Sequence, residues 1–170
     1  MTSPDNVEDL ENYLRSAATD GNWYEVLEMY KQNKQLRTAK ITVTGDTVLH
    51  MAVSSGRDYD VQEMVELVCG KISTLDYTWP PLLPSRDEND DEKKRVLGAR
   101  DDNGNNTALH LAASKGNVEM YKKIISGLDP LLIAKHNYAG ETPLFMAALH
   151  GNRETFLWLY YGYMGIPGVS

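Results

Sequence analysis

Short apolar clusters at helical spacing, separated by polar turn-formers, run along most of this chain. In TALHLAASKG (107–116), leucine and alanine recur at i, i+3 and i+4, which predicts a short helix with one narrow apolar face. The same pattern stands in TVLHMAVSSG (47–56) and TPLFMAALHG (142–151), with a fainter copy, LRSAATDG, at 14–21. Each cluster closes on a glycine (Gly21, Gly56, Gly116, Gly151) suited to the left-handed conformation that ends a helix. A longer amphipathic stretch follows each time: WYEVLEMYKQ, VQEMVELVCG, VEMYKKIISG and RETFLWLYYG. The pattern therefore predicts helix–turn–helix pairs, joined by polar segments (TVTGD, DDNGNN, NYAGE) that read as β-hairpin fingers.

Aligning Ala17, Ala52, Ala112 and Ala147 gives spacings of 35, 60 and 35 residues. The conserved frame within the copies is Thr47–Leu49–His50–Ala52, Thr107–Leu109–His110–Ala112 and Thr142–Pro143–Leu144–Ala147. Threonine is a good N-cap, and the small alanines let neighbouring helices approach closely. This frame resembles the ankyrin repeat, whose period is about 33 residues. The resemblance runs from about residue 12 to 163. It implies an all-α ankyrin-repeat solenoid of about four repeats, approximately 10–40, 41–70, 99–132 and 133–165, forming a single domain over 1–170 with a loop inserted at 71–98. Within it, Thr47, His50, Thr107, His110, Thr142, Gly56, Gly116 and Gly151 are expected to be structural, the histidines linking neighbouring fingers.

A narrower resemblance lies in GETPLFMAALHGNRETFLWL, with Phe145 where histidine is usual, together with DTVLHMAVSSG and GNNTALHLAASKGN. These are similar to the plant ankyrin–transmembrane proteins of the ACCELERATED CELL DEATH type. In that family a cytosolic ankyrin array precedes a Pro-Gly-Gly domain and membrane spans, neither of which stands in these residues. The resemblance implies a plant protein-interaction module in defence and cell-death signalling, cytoplasmic, and membrane-associated through a longer parent.

Departures from the repeat carry their own expectations. RDYD before Val61 reads as three extra residues, predicting a bulged turn in repeat two. Asn105 or Asn106 reads as an extra residue in the finger of repeat three. Repeat one lacks the threonine and histidine and reads as a polar cap. The last repeat carries Phe156, Trp158, Tyr160, Tyr161 and Tyr163, so a further repeat or a second molecule is expected to cover it, and self-association through this face is the alternative function. In the insertion, WPPLLP is Pro-rich and RDENDDEKKR is acidic, then basic. One reading makes 84–95 a mobile solvated loop with Trp79 and Leu82 packed back; the other makes the segment a docking element.

Charge and chemistry narrow the function. A formal net charge of −7 repels a phosphate backbone, so nucleic acid is not an expected partner. The single cysteine, Cys69, excludes an internal disulfide and a cysteine-based zinc cluster, and it reads as inert. The acidic start is unlike a targeting peptide, and the uncharged tail 155–170 is too short and too broken to insert in a membrane. His50, His110, His136 and His150 lie in separate units without metal-ligand spacing. DDNGNN has acids and amides at calcium-loop spacing, but Asn106 and Ala112 stand where that loop needs glycine and a bidentate glutamate. Phosphate-loop and nucleophile-elbow motifs are absent. No cofactor, metal or enzymatic activity is expected.

The expected function is protein–protein interaction on the concave face, built from finger tips and first-helix ends. The partner-binding candidates are Asp46, Ser54, Ser55, Asp102, Asn103, Asn105, Ser114, Lys115, Tyr138, Glu141, Leu149 and His150, with Thr19, Asp20, Val43 and Thr44 alongside. Tyr138 and Leu149 are the apolar anchors. Acids outnumber bases four to one in this set, which suits a basic or amide-rich peptide segment.

Overall fold

The computed structural model describes residues 6–70, 90–126 and 130–164; Trp79, Leu82 and WPPLLP lie outside them. Among the described residues there is no β-strand, and the order is α1 (Val7–Thr19), α2 (Trp23–Gln32), α3 (Val48–Ser54), α4 (Asp58–Cys69), α5 (Asp90–Leu97), α6 (Ala108–Lys115), α7 (Val118–Ser126), α8 (Pro143–Leu149) and α9 (Arg153–Met164). Short 3-10 turns lie at Lys34–Arg37 and Pro130–Ala134. The first helices stack in the order α1, α3, α6, α8, and the second helices in the order α2, α4, α7, α9. The structure is a helical repeat solenoid.

One turn geometry joins the helices of repeats one, two and four. Gly21, Gly56 and Gly151 each donate to the carbonyl three residues back, and the next residue to the carbonyl five back: Asn22 to Ala17, Arg57 to Ala52, Asn152 to Ala147. These glycines and Gly116 have φ between 66° and 76°, where any Cβ is strained. Repeat two follows the same course, so no bulge follows Gly56. Arg57, Asp58, Tyr59 and Asp60 stand where Asn152, Arg153, Glu154 and Thr155 stand in repeat four, the turn and first helical turn rather than an insertion.

Small residues set the spacing of the layers. Ala52, Ala112 and Ala147 are fully buried, and larger aliphatics (Val61, Met64, Val65, Ile124, Leu159) fill the space between second helices. Each buried side chain of the larger kind is worth about 1.5–3 kcal/mol over an exposed one. Tyr121 meets the edge of Trp158 at 5.5 Å, joining α7 to α9.

The insertion does not interrupt the stack, because α6 packs directly on α3 and α5 lies against α4. The solvated-loop reading of 84–95 fails for 90–95, which lie in α5. The acidic-then-basic block places Asp90, Asp91 and Glu92 in the first turn of α5 and Lys94 and Arg95 in the last, which complements the helix dipole. Val96 and Leu97 are buried beneath it.

Candidate interaction surface

The three fingers, residues 41–46, 101–106 and 136–141, each fill the six positions before a motif threonine. Each is a hairpin turn closed by a backbone cross-bond, Ile41 N–H to Asp46 (2.8 Å), Asp101 to Asn106 (3.0 Å) and Asn137 to Glu141 (2.9 Å), with Gly45 and Gly140 also donating to Thr42 and Asn137 at 3.1 Å. The fifth position has positive φ in all three, at Gly45 (73°), Asn105 (59°) and Gly140 (77°). Neither Asn105 nor Asn106 is an extra residue in the finger of repeat three. Asn105 replaces the glycine, and asparagine tolerates this conformation better than most side chains. Adjacent fingers are tied edge to edge, Asp102 N–H to the Thr44 carbonyl (2.8 Å) and Tyr138 N–H to that of Gly104 (2.9 Å).

Buried histidines hold the finger row against the helices. Nδ1 of His50 accepts from the Thr47 N–H at 3.3 Å, so Nε2 carries the proton and donates to the Asn106 carbonyl at 3.0 Å. His110 accepts from Thr107 N–H at 3.2 Å, and its Nε2 proton is shared between the Lys135 and Glu141 carbonyls at 3.1 Å each. Burial pushes both imidazoles below their usual pKa, favouring the neutral form this arrangement needs. Thr142 caps α8 by accepting from Phe145 N–H at 3.2 Å. Where repeats two and three place histidine, Phe145 points outward and is 53% exposed.

Asp101 accounts for the apparent calcium pattern. Its carboxylate accepts from Gly104 N–H (2.8 Å), Asn106 N–H (3.1 Å) and the Asn106 side-chain amide (3.1 Å). Burial alone would raise its pKa; these hydrogen bonds outweigh it and hold the group below the usual range. The acid is a clamp for its own turn. Among the described residues no group of three or more His, Cys, Asp or Glu is placed to hold a metal ion. Burial also pushes the Cys69 thiol up to about 11.

The partner-binding candidates divide by exposure. Ser54, Ser55, Asp102, Asn103, Lys115, Tyr138, Leu149 and His150 are exposed, as are Thr19, Asp20, Val43 and Thr44. Asp46, Asn105, Ser114 and Glu141 are only half exposed and carry internal bonds. Asp46 accepts from the Thr42 and Thr44 hydroxyls, Ser114 donates to the Leu111 carbonyl, and Glu141 accepts from Asn137. The Asn105 carbonyl takes a hydrogen bond from Arg100. Asp102 pairs with Lys40, which the sequence reading missed because 62 residues separate them and only stacked fingers bring them together. The surface thus offers less free negative charge than its acids suggest. Val43, Asn103 and Tyr138 occupy the same third position of successive fingers, and Val43 and Tyr138 are fully and 73% exposed.

No helix among the described residues is long and apolar enough to cross a membrane. No curated protein matches this chain. Among solved structures, the chain is similar to one in the crystal structure of the yeast ribosomal protein Rps3 in complex with its chaperone Yar1. The two are 23% identical with a TM-score of 0.66, over 96% of this chain and 99% of that one, a likeness of fold. The family model described as ankyrin repeats (3 copies) matches residues 82–166. Repeats one and two lie before that match but share its turn, its stacking and, in repeat two, its histidine bridge. With half of its length matched by the family model, the chain belongs to the ankyrin-repeat family.

Proposed function

We propose that this chain is a non-enzymatic protein–protein interaction module that takes an extended segment of another protein across its finger tips and first-helix ends. The observation that carries this reading is the row Val43–Asn103–Tyr138. Its two apolar side chains stand in solvent and make no contribution to the core, while the backbone of the Asn103 and Tyr138 tips is clamped by Asp101, His50 and His110 and that of the Val43 tip by the Ile41–Asp46 and Asp102–Thr44 bonds. Rigid tips with exposed apolar and amide groups suit a partner without a large conformational cost. With Asp102 already paired, Tyr138 and Val43 are the anchors, and a basic or amide-rich segment meets Asp20 and the asparagines beside them. A solved ankyrin-like neighbour comes from a structure of a chaperone with its protein client, which is consistent with such a role.

The parent setting we propose is a plant regulator of defence or cell death, cytoplasmic and membrane-associated through other segments. It rests on the strings GETPLFMAALHGNRETFLWL, DTVLHMAVSSG and GNNTALHLAASKGN. The test is affinity capture from the native tissue with the wild-type chain and a Val43→Asp/Tyr138→Ala variant. Loss of specific partners by a variant that unfolds at the wild-type temperature supports the reading. An unchanged partner set overturns the tip assignment.

A further inference from the structure

The second helices share a register position that changes character along the stack. It holds Tyr24 in α2 and Tyr59 in α4, then Glu119 in α7 and Glu154 in α9. The two tyrosines are 76% and 68% exposed, so neither ring serves the core. One helical turn further on, at i+4, stand Glu28 and Glu63, both half exposed. Repeats one and two therefore present an aromatic row beside an acidic row.

The two helix starts are fixed to each other. Arg57, in the turn before α4, lies over the Trp23 ring of α2 at 5.4 Å and pairs with Asp60 at 2.8 Å. Trp23 and Asp60 are buried, so this contact sets the two tyrosine backbones in one arrangement before any ligand arrives. Glu28 meets Lys31 at 3.3 Å in an exposed pair of the kind worth little. Glu63 makes no ion pair among the described residues. With Arg57 neutralised by Asp60, the charge left uncompensated beside the tyrosines is negative.

We propose that this face binds a polyproline-II segment of another protein, with two prolines three residues apart and a lysine or arginine beside them. Polyproline II turns once every three residues and rises about 3.1 Å per residue, so residues i and i+3 share a face and lie about 9 Å apart. α2 packs directly on α4, and packed helices lie about 8–10 Å apart, so prolines at i and i+3 meet Tyr24 and Tyr59 in turn. Exposed aromatic rings are the general means of holding such segments. The acidic row at Glu28 and Glu63 favours the basic flank. This chain's own Pro81 and Pro84 have the same spacing, but Arg86 after them is followed directly by Asp87 and Glu88, which would bring net negative charge to the acidic row. A partner whose cation stands without neighbouring acids is the complementary one.

This surface belongs to the second helices, so its outcome is independent of partner capture through Val43 and Tyr138. The full chain is titrated with a short synthetic peptide containing Pro-x-x-Pro-x-Arg and followed by the NMR shifts of its backbone amides. Two control peptides carry alanine for both prolines or glutamate for the arginine. The expected result is saturable shifts confined to 23–28 and 58–63. Tyr24→Ala and Tyr59→Ala should each weaken binding by about five-fold or more, with the unfolding midpoint unchanged, as for exposed positions generally. Absence of saturable binding, binding indifferent to both tyrosine substitutions, or equal binding of either control overturns the proposal. So do shifts at Tyr24 and Tyr59 in the free chain when Pro81 and Pro84 are both changed to alanine, because the occupant is then the chain's own segment. A concentration-dependent dimer that Tyr59→Ala dissolves overturns it in favour of a second copy.

Discussion

Glu92 and Arg37, 55 residues apart, form a buried ion pair at 2.6 Å, with Arg37 5% and Glu92 10% exposed at the side chain. Arg37 also donates to the Tyr30 carbonyl at 3.0 Å and lies over the Tyr30 ring at 5.3 Å. Lys34 approaches the other carboxylate oxygen from solvent at 3.3 Å. The pair fastens α5, the tail of the insertion, to the loop that leaves repeat one. Burial acts to raise the Glu92 pKa, but the hydrogen bonds and charges of Lys34 and Arg37 prevail and hold it below the usual range.

Glu92→Gln should therefore leave a buried guanidinium without its counter-charge and cost about 2–3 kcal/mol in urea unfolding. The wild-type contribution is present above the unfolded glutamate pKa, about 4.3, and is lost as pH falls through the lower folded value. In the variant the pH dependence below about 4.5 should flatten. An equal loss with unchanged acid sensitivity would assign the effect to packing.

His50 and His110 titrate in a separate window. Burial lowers both, so the unfolded chain binds protons more readily, and stability falls as pH drops below about 6.5 toward the folded values. The groups around them have mixed sign: Asp46, Asp101 and Lys40 at His50, Arg100 and Asp101 at His110. A His50→Gln/His110→Gln variant should start less stable, by about 1–2 kcal/mol per lost bridge, and lose little more between pH 7 and 5.5. Denaturant unfolding along a pH series checks both the offset and the slope.

At Asn105, with φ of 59°, the backbone already favours glycine. Asn105→Gly should be neutral or slightly stabilising, whereas Asn105→Val should cost about 1–2 kcal/mol. Thermal unfolding of the pair separates a backbone requirement from a loss of the asparagine side chain.

Cys69 should react slowly. With its thiol pushed up to about 11 by burial, alkylation at pH 8 should run at least about ten-fold slower than for a free cysteine. Glu92→Gln should speed it, since α5 bears on the same region through Lys93. A native rate matching the free thiol would show the site to be open.

Much of the repeat frame was legible because its causes are local. A motif threonine beginning each later pair, small residues at i and i+4, and a glycine with positive φ act within one turn of chain, so Thr47, Ala52 and Gly56 announce their roles in order. The histidine bridge was legible in kind, since Thr47 and His50 are three residues apart, although its receiving carbonyl at Asn106 is not. The readings that failed did so at junctions. RDYD and NN look like insertions when strings are matched by similarity, and become ordinary turn and finger positions once the φ values and hydrogen bonds align them.

The surface divided differently. That Tyr138 and Val43 are exposed tips follows from register alone, but that Asp102 is neutralised by Lys40 depends on which fingers lie side by side. The insertion is the clearest case. Its sequence shows an acidic-to-basic block and no partner, and only the folded chain brings Arg37 under Glu92. The sequence by itself determined the repeat, because helix capping and small-residue spacing operate within a few residues. Only the tertiary structure decided which charges are paired and which face of repeat four is left open, because those depend on contacts between layers that lie 25 to 62 residues apart along the chain.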